Sequence, residues 1–239
     1  MSGYIDIHSH LLPGVDDGVK STAEALECFS FAKKAGFGDL VMTRHLMSGV
    51  YDASREKAAE KIGQLELLLD EAGIDIRLHN GAEYYLDETF LPKLDTGVET
   101  LANGRYLLVE MPLMQIPNFL PEVAFRIRLK GYIPILAHVE RYREIAEKPA
   151  KAFKLREMGF LLQVNLGSLV GMYGTSVAKT VRFVLDKELA FCAAGDVHGA
   201  SWLAPIYMAG VKELKMTWGE KVASMLLRDN PQAVLRDGQ

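Results

Sequence analysis

Short apolar runs rich in β-branched and aliphatic residues alternate along this chain with longer stretches whose apolar positions recur at helical spacing. Seven such cycles predict strands over Tyr4–Ile7, Asp39–Thr43, Asp75–Asn80, Tyr106–Met111, Ile133–Ala137, Phe160–Asn165 and Ala190–Ala194. Helices are predicted over Thr22–Ala35, Ser54–Ala72, Phe119–Leu129, Ala150–Met158 and Ser176–Asp186. A βαβα rhythm of this kind belongs to the α/β class with parallel strands. Gly36, Gly73, Gly131 and Gly159 each follow a helical run and precede a strand, where a glycine can end the helix in the left-handed conformation. Residues 84 to 104, interrupted by Pro92, Gly97 and Gly104, read as short helical turns and a loop. Ser201 to Gln239 reads as one or two closing helices, with a turn at Asn230-Pro231.

Laying the ionisable residues on this pattern reveals a bias that filling a core does not explain. Strand one runs into His8 and His10, which are followed by Asp16 and Asp17; strand two runs into His45. Strand three precedes Glu83, strand four ends at Glu110, strand five runs into His138, and strand seven runs into Asp196 and His198. All lie at or just past the C-terminal ends of strands, the face on which (β/α) barrels build their active sites. Only His79, among the six histidines, lies elsewhere, and it reads as structural or exposed. Residues two apart on an extended segment share a face, so His8 and His10 can offer nitrogens to one ion. Imidazoles and carboxylates without cysteine favour Mn, Fe or Zn, and the oxygen-rich balance leans toward Mn or Mg. About nine ligands are too many for one ion and imply two or three. Closely spaced divalent metals are a common solution for hydrolysing phosphate esters.

Composition narrows the picture. The 239 residues, 49% of them hydrophobic, suit one globular domain with a large core, and a net charge of -4 argues against a general nucleic-acid binder. No run of eighteen apolar residues occurs, and the N-terminus lacks a basic stretch followed by an apolar segment. A cytoplasmic protein without membrane insertion is therefore expected. Cys28 and Cys192 sit in apolar settings and read as buried free thiols. Neither begins the Cys-x5-Arg pattern of a cysteine-dependent phosphatase, because Lys34 and His198 occupy the arginine positions.

The motifs Asp6-Ile7-His8-Ser9-His10, Val15-Asp16-Asp17-Gly18, Gly81-Ala82-Glu83-Tyr84-Tyr85, Val109-Glu110-Met111, His138-Val139-Glu140-Arg141-Tyr142, Gln163-Val164-Asn165 and Gly195-Asp196-Val197-His198 span nearly the whole chain. In that order they resemble the PHP (polymerase and histidinol phosphatase) superfamily, and within it the CpsB/CapC-type metal-dependent protein tyrosine phosphatases of bacterial capsule and exopolysaccharide gene clusters. The resemblance implies a single PHP-type domain over residues 1–239, folded as a distorted seven-stranded (β/α)7 TIM-like barrel. It implies three ions, most readily Mn2+, with Fe, Zn or Mg as alternatives. His8, His10, Glu83 and Asp196 would hold the first; Glu83 would bridge to a second held by Glu110 and His138; Asp17, His45 and His198 would hold the third. The implied reaction is attack of a metal-activated hydroxide on phosphorus, with Arg141 as phosphate donor and Asp16 or a metal-bound water as the source of a proton. The implied partner is the phosphotyrosine-containing tail of a bacterial tyrosine kinase. Two alternatives keep the metals: hydrolysis of a small ester such as histidinol phosphate, or a catalytically slow regulatory protein. The chain departs from the family pattern at Leu46 to Tyr51 and at Gly199 to Leu203, which border the substrate mouth. Arg44, Met47, Tyr51 and Trp202 are read as giving that mouth an apolar character suited to an aromatic ring, or as packing residues closing a crevice.

Overall fold

The computed structural model describes residues 3–202 and 204–238. Seven strands form one all-parallel sheet in chain order: β1 (Tyr4–Ser9), β2 (Phe37–Leu46), β3 (Arg77–Tyr85), β4 (Tyr106–Glu110), β5 (Ile133–Leu136), β6 (Leu161–Asn165) and β7 (Ala190–Ala194). The sheet curls until its edges meet at the C-terminal ends. There the His10 amide donates to the Val197 carbonyl at 3.0 Å and the Asp196 amide to the His8 carbonyl at 2.8 Å, and Ser9 pairs with Val197. The result is a nearly closed α/β barrel of the TIM-like type.

The long helices are α1 (Thr22–Lys34), α2 (Arg55–Glu71), α4 (Leu120–Leu129), α8 (Thr175–Asp186), α9 (Gly210–Ser224, broken at Gly219) and α10 (Asn230–Asp237). Shorter ones are α3 (Phe90–Thr96), α5 (Arg143–Glu147), α6 (Lys151–Glu157) and α7 (Leu166–Leu169). Ser21 and Ser54 cap α1 and α2 by accepting from the amides of Glu24 and Lys57. The four glycines expected at helix ends all have positive φ, between 64° and 98°, and three are followed by an amide that reaches back to the preceding turn: Ile74 to Leu69, Tyr132 to Ile127, and Phe160 to Leu155. These ends point each chain segment into the next strand.

Two apolar layers result. Between strands and helices lies the larger core. The barrel interior holds a second cluster that includes Ile5, Ile7, Val41, Leu108, Ile135 and Cys192, closed from below by Val234 and Leu235 of α10. Both cysteines are buried and unpaired. Among the described residues, no helix is long and apolar enough to cross a membrane.

Two expectations are revised. Strands β2 and β3 run on to Leu46 and Tyr85, so His45 and Glu83 stand on strands rather than beyond them, and they face one another in register. Polar residues there face the barrel lumen, where they bury against each other, so polarity does not mark the strand end. The region after residue 84 carries the expected short helical turns, α3 and a single turn of 3-10 helix at Leu101–Asn103. Asn230-Pro231 is not a turn. A wide π-helical segment, Met225–Asp229, precedes it and Pro231 falls in the first turn of α10, where its missing N–H leaves no bond unmade. The Asn230 amide instead donates to the Phe191 carbonyl at 2.7 Å, fastening α10 to β7.

Candidate metal centre

The site begins with an irregularity in β1. Asp6 pairs with Leu40 and Ser9 with Met42, so three steps of β1 oppose two of β2, the signature of a β-bulge. Ile5 and Ile7 face the barrel interior. Strict alternation would turn His8 and His10 outward, and the bulge returns them to the lumen. Asp6 fixes the bulge: its carboxylate accepts from the His8 amide, the Gly195 amide and the Tyr207 hydroxyl.

From the opposite wall, Glu83 on β3 projects between the histidines. It is fully buried, and neither of its oxygens finds a hydrogen-bond donor. Yet Oε2 lies 3.1 Å from His8 Nε2, 3.3 Å from His10 Nε2 and 3.1 Å from His45 Nδ1, while Oε1 lies 3.3 Å from His138 Nε2. Asp196 Oδ1 completes the first group at 3.4 Å and 3.5 Å from His8 and His10. Metal bonds of about 2.1 Å place neighbouring ligand atoms roughly 3.0–3.4 Å apart. The donor set and its spacing fit a divalent cation, and an orphaned buried carboxylate is otherwise costly.

Glu110 and His138 form the next wall, with His138 Nε2 at 3.6 Å from Glu110 Oε2. His45 Nδ1 comes closer, 3.1 Å from Glu110 Oε1, so the tight trio in this structure is His45, Glu83 and Glu110. The other nitrogen of His45 faces Asp17 at 3.4 Å, and His198 Nε2 is 3.6 Å from that same oxygen. His10, Asp17, His45 and His198 make a further tight group. All nine candidate ligands therefore converge on one cluster at the C-terminal mouth of the barrel. Two of them, His138 (φ 33°) and Asp196 (φ 51°), occupy left-handed backbone that non-glycine residues seldom adopt, a strain of the kind concentrated at functional sites.

The electrostatics say the same. Burial disfavours charge on His8 and His45, but the facing carboxylates overcome it and push them up to about 10 and about 12. Burial works the other way on Glu83 and Asp196, and the surrounding imidazoles, His8 foremost, together overcome it and hold both carboxylates below the usual range. Burial and the nearby His10 push His198 down to about 4. The cluster thus demands positive charge at its centre, from protons or from metal.

Second-layer contacts orient the ligands. Gln163 Oε1 accepts from His8 Nδ1 at 2.9 Å and from the His138 amide at 3.0 Å. Asp16 lies 2.9 Å from His10 Nδ1 and accepts from the amides of Gly18 and His45. Burial alone would raise the Asp16 carboxyl, but His10 and the amides of Gly18 and His45 together overcome it and keep it below its usual value. With three donors on its oxygens, the Asp16 carboxylate is placed to orient His10. Arg141 donates through Nη1 to Asp196 Oδ2 at 2.8 Å and lies over the Tyr173 ring at 4.5 Å. It lines a cleft of about 310 Å³ together with Asp17, Tyr173, Asp196, His198 and Ile206.

Other expectations resolve as follows. His79 pairs with Asp39 on β2 at 2.8 Å, away from the cluster. Arg44 is not at the mouth: it is buried and donates to the carbonyls of Ala53 and Gly81 and to Glu99. Met47 and Tyr51 close a tight turn, and the Tyr51 ring stacks against His45. The Trp202 side chain lies outside the described residues. Sequence reasoning assigned no role to Gln163, Asn165, Glu140 or Tyr173. Gln163 and Asn165, two apart at the end of β6, carried the same signal as His8 and His10.

Comparison with known proteins agrees. The profile of the family described as capsular polysaccharide synthesis, CpsB/CapC, matches residues 4–236. Tyrosine-protein phosphatase YwqE of Bacillus subtilis is 30% identical over 236 residues, covering 98% of this chain and 92% of the relative. Tyrosine-protein phosphatase CpsB of Streptococcus pneumoniae is 28% identical and 98% of each chain is covered. A crystal structure from work on those two proteins, described as unique metal-dependent tyrosine phosphatases, superposes with a TM-score of 0.90 at 28% identity, covering 98% of this chain and 95% of the other. The phosphotriesterase homology protein of Escherichia coli, at 13% identity and a TM-score of 0.61 over 98% of this chain and 99% of the other, shares the fold. The chain belongs to the CpsB/CapC family of capsular polysaccharide synthesis proteins.

Proposed function

We propose that this protein is a metal-dependent phosphatase of phosphotyrosine in proteins, acting on the tyrosine-phosphorylated tail of a bacterial kinase of capsule or exopolysaccharide synthesis, with the cytoplasm as its compartment. The observation that carries the reading is Glu83: a fully buried carboxylate with no hydrogen-bond donor on either oxygen, ringed by four imidazoles at 3.1–3.3 Å. The names of the relatives support the substrate. His8, His10, Glu83 and Asp196 would hold one ion, Glu83, Glu110 and His138 a second, and Asp17, His45 and His198 a third, with His45 also able to join Glu83 and Glu110. Mn2+ suits this mixed nitrogen and oxygen set. Such a centre supplies a water of lowered pKa and neutralises charge on the phosphoryl group.

The chain's own residues do the rest. Gln163 accepts the Nδ1 proton of His8, and the Asp16 carboxylate that of His10, so that Nε2 of each ring, beside Glu83 and Asp196, is the nitrogen that would bind an ion. Arg141 keeps one guanidinium nitrogen on Asp196 and, among the described residues, bonds no other side chain, so its remaining N–H groups can take a phosphoryl oxygen. Tyrosine leaves as a phenolate of pKa about 10, so expulsion needs no strong acid, in keeping with an Asp16 that holds His10.

A substrate panel tests the reading. Manganese-loaded protein should hydrolyse a phosphotyrosine peptide in strong preference to histidinol phosphate and a phosphoserine peptide. Turnover confined to histidinol phosphate would keep the centre and replace the substrate.

A further inference from the structure

One buried carboxylate next to the site hydrogen-bonds to none of the candidate ligands. Glu140 lies in the 3-10 turn Val139–Arg141, which opens at the left-handed His138. Its two active neighbours face the cluster: His138 Nε2 approaches Glu83, and Arg141 Nη1 bonds Asp196. Glu140 points the other way and is fully buried. Among the described residues it makes no ion pair, and its Oε2 has no hydrogen-bond partner. Burying a carboxylate without a counter-charge is costly, and an apolar side chain of similar size would fill the same space at less expense. Packing therefore does not explain it.

Its contacts do. Glu140 Oε1 accepts from the Asn165 amide at 2.8 Å and from the Ser168 hydroxyl at 2.5 Å, tying the turn that carries Arg141 to the end of β6 and to α7. The Asn165 side chain so placed accepts from Gln163 Nε2 at 2.7 Å and donates to Asp196 Oδ2 at 2.7 Å. That oxygen also receives Arg141. With Oδ2 occupied by two donors, Oδ1 is the oxygen left facing His8 and His10. Gln163 in turn holds His8.

We propose that Glu140 is a positioning residue: through Asn165 it selects which oxygen of Asp196 faces the metal cluster, and through its own turn it sets the reach of Arg141 toward phosphate. This rests on the reading of the site given under Proposed function.

The test compares Glu140→Leu, which removes both acceptors, with Glu140→Gln, which keeps the size and one acceptor oxygen. Affinities for Mn2+ and for inorganic phosphate, both by calorimetry, are read beside kcat and KM for a phosphotyrosine peptide. Outer contacts of this kind typically change metal affinity or activity about 10–100-fold. Glu140→Leu should stay folded, bind Mn2+ on the order of tenfold or more weakly and bind phosphate more weakly, while Glu140→Gln should return both to within about threefold of wild type. A folded Glu140→Leu with wild-type affinity for Mn2+ and phosphate would overturn the proposal, as would a Glu140→Gln as impaired as the leucine variant. If Glu140→Leu does not fold, Ser168→Ala decides: a loss of about threefold or more in either affinity is expected, and none contradicts it. The two affinities do not depend on turnover, so they judge Glu140 even if phosphotyrosine proves to be the wrong substrate.

Discussion

Glu83 concentrates the chemistry of this protein because it is held where a carboxylate is least comfortable, inside a barrel, among imidazoles, without a single hydrogen bond. Arg141 is its counterpart at the rim, a guanidinium stacked on Tyr173 and anchored by one nitrogen. Removing a preorganised donor that acts on developing charge costs on the order of 10²–10³-fold. Arg141→Ala should therefore lower kcat/KM for a phosphotyrosine peptide about 100-fold or more, with Mn2+ affinity changed far less; steady-state kinetics beside calorimetry separate the two. Cys28→Ser and Cys192→Ser should each keep wild-type kcat, since both thiols are buried away from the cluster; a folded but inactive variant would revive a cysteine mechanism. The gathering of nine candidate ligands at one end of the barrel was legible in the sequence because histidine and carboxylate at strand ends have few structural uses in common. Glu140 was not, and Gln163 and Asn165 showed only their spacing, because an amide or a lone glutamate gains its role from what it touches across β5, β6 and β7.

At the scale of elements, the site depends on irregularities more than on the regular strands that carry it. The bulge in β1 re-aims His8 and His10, and the loop after it must fold back tightly enough for Asp16 to reach His10. Gly18 permits this: a Cβ there would overlap the His10 carbonyl oxygen and come within 2.7 Å of His10 Cβ. Gly18→Ala should therefore push Asp16 and Asp17 off His10, His45 and His198 and weaken Mn2+ binding roughly tenfold or more, with the helix and strand content seen by circular dichroism unchanged. The order and number of the strands followed from the alternation of apolar runs, and the helix ends before β2, β3, β5 and β6 followed from four glycines. The strand ends did not, because His45 and Glu83 look solvent-seeking in sequence and are in fact lumen-facing. Asn230-Pro231 misled for a related reason: proline breaks a helix interior but is accommodated in a first turn.

For the molecule as a whole, the barrel is a container for charge that must be neutralised. Without metal, protons do it. His8 is raised from its usual 6.5 to about 10, so its contribution to the metal-free fold is complete below pH 6.5 and fades as pH rises through about 10. Glu83 and Asp196 are lowered, so theirs is present above the ordinary carboxylate range and fades in acid. From these groups the metal-free protein should be most stable between about pH 4.5 and 6.5, and thermal melts across pH would show it. Metal must displace protons held by His8 and His45, so apparent Mn2+ affinity should rise with pH between 6 and 8 with release of protons, which calorimetry in buffers of different ionisation enthalpy detects. Bound metal at 100 times its Kd would add about 2.7 kcal/mol of stability.

The central claim is that this buried cluster, loaded with metal, carries out the hydrolysis. The measurement that meets it most directly is turnover of a phosphotyrosine peptide by metal-stripped protein as Mn2+ is titrated back, run beside Asp196→Ala and His138→Ala. The account predicts no turnover without metal, saturable recovery in the wild type, and folded but inactive variants. Turnover by the stripped protein, or full activity in both variants, would contradict it.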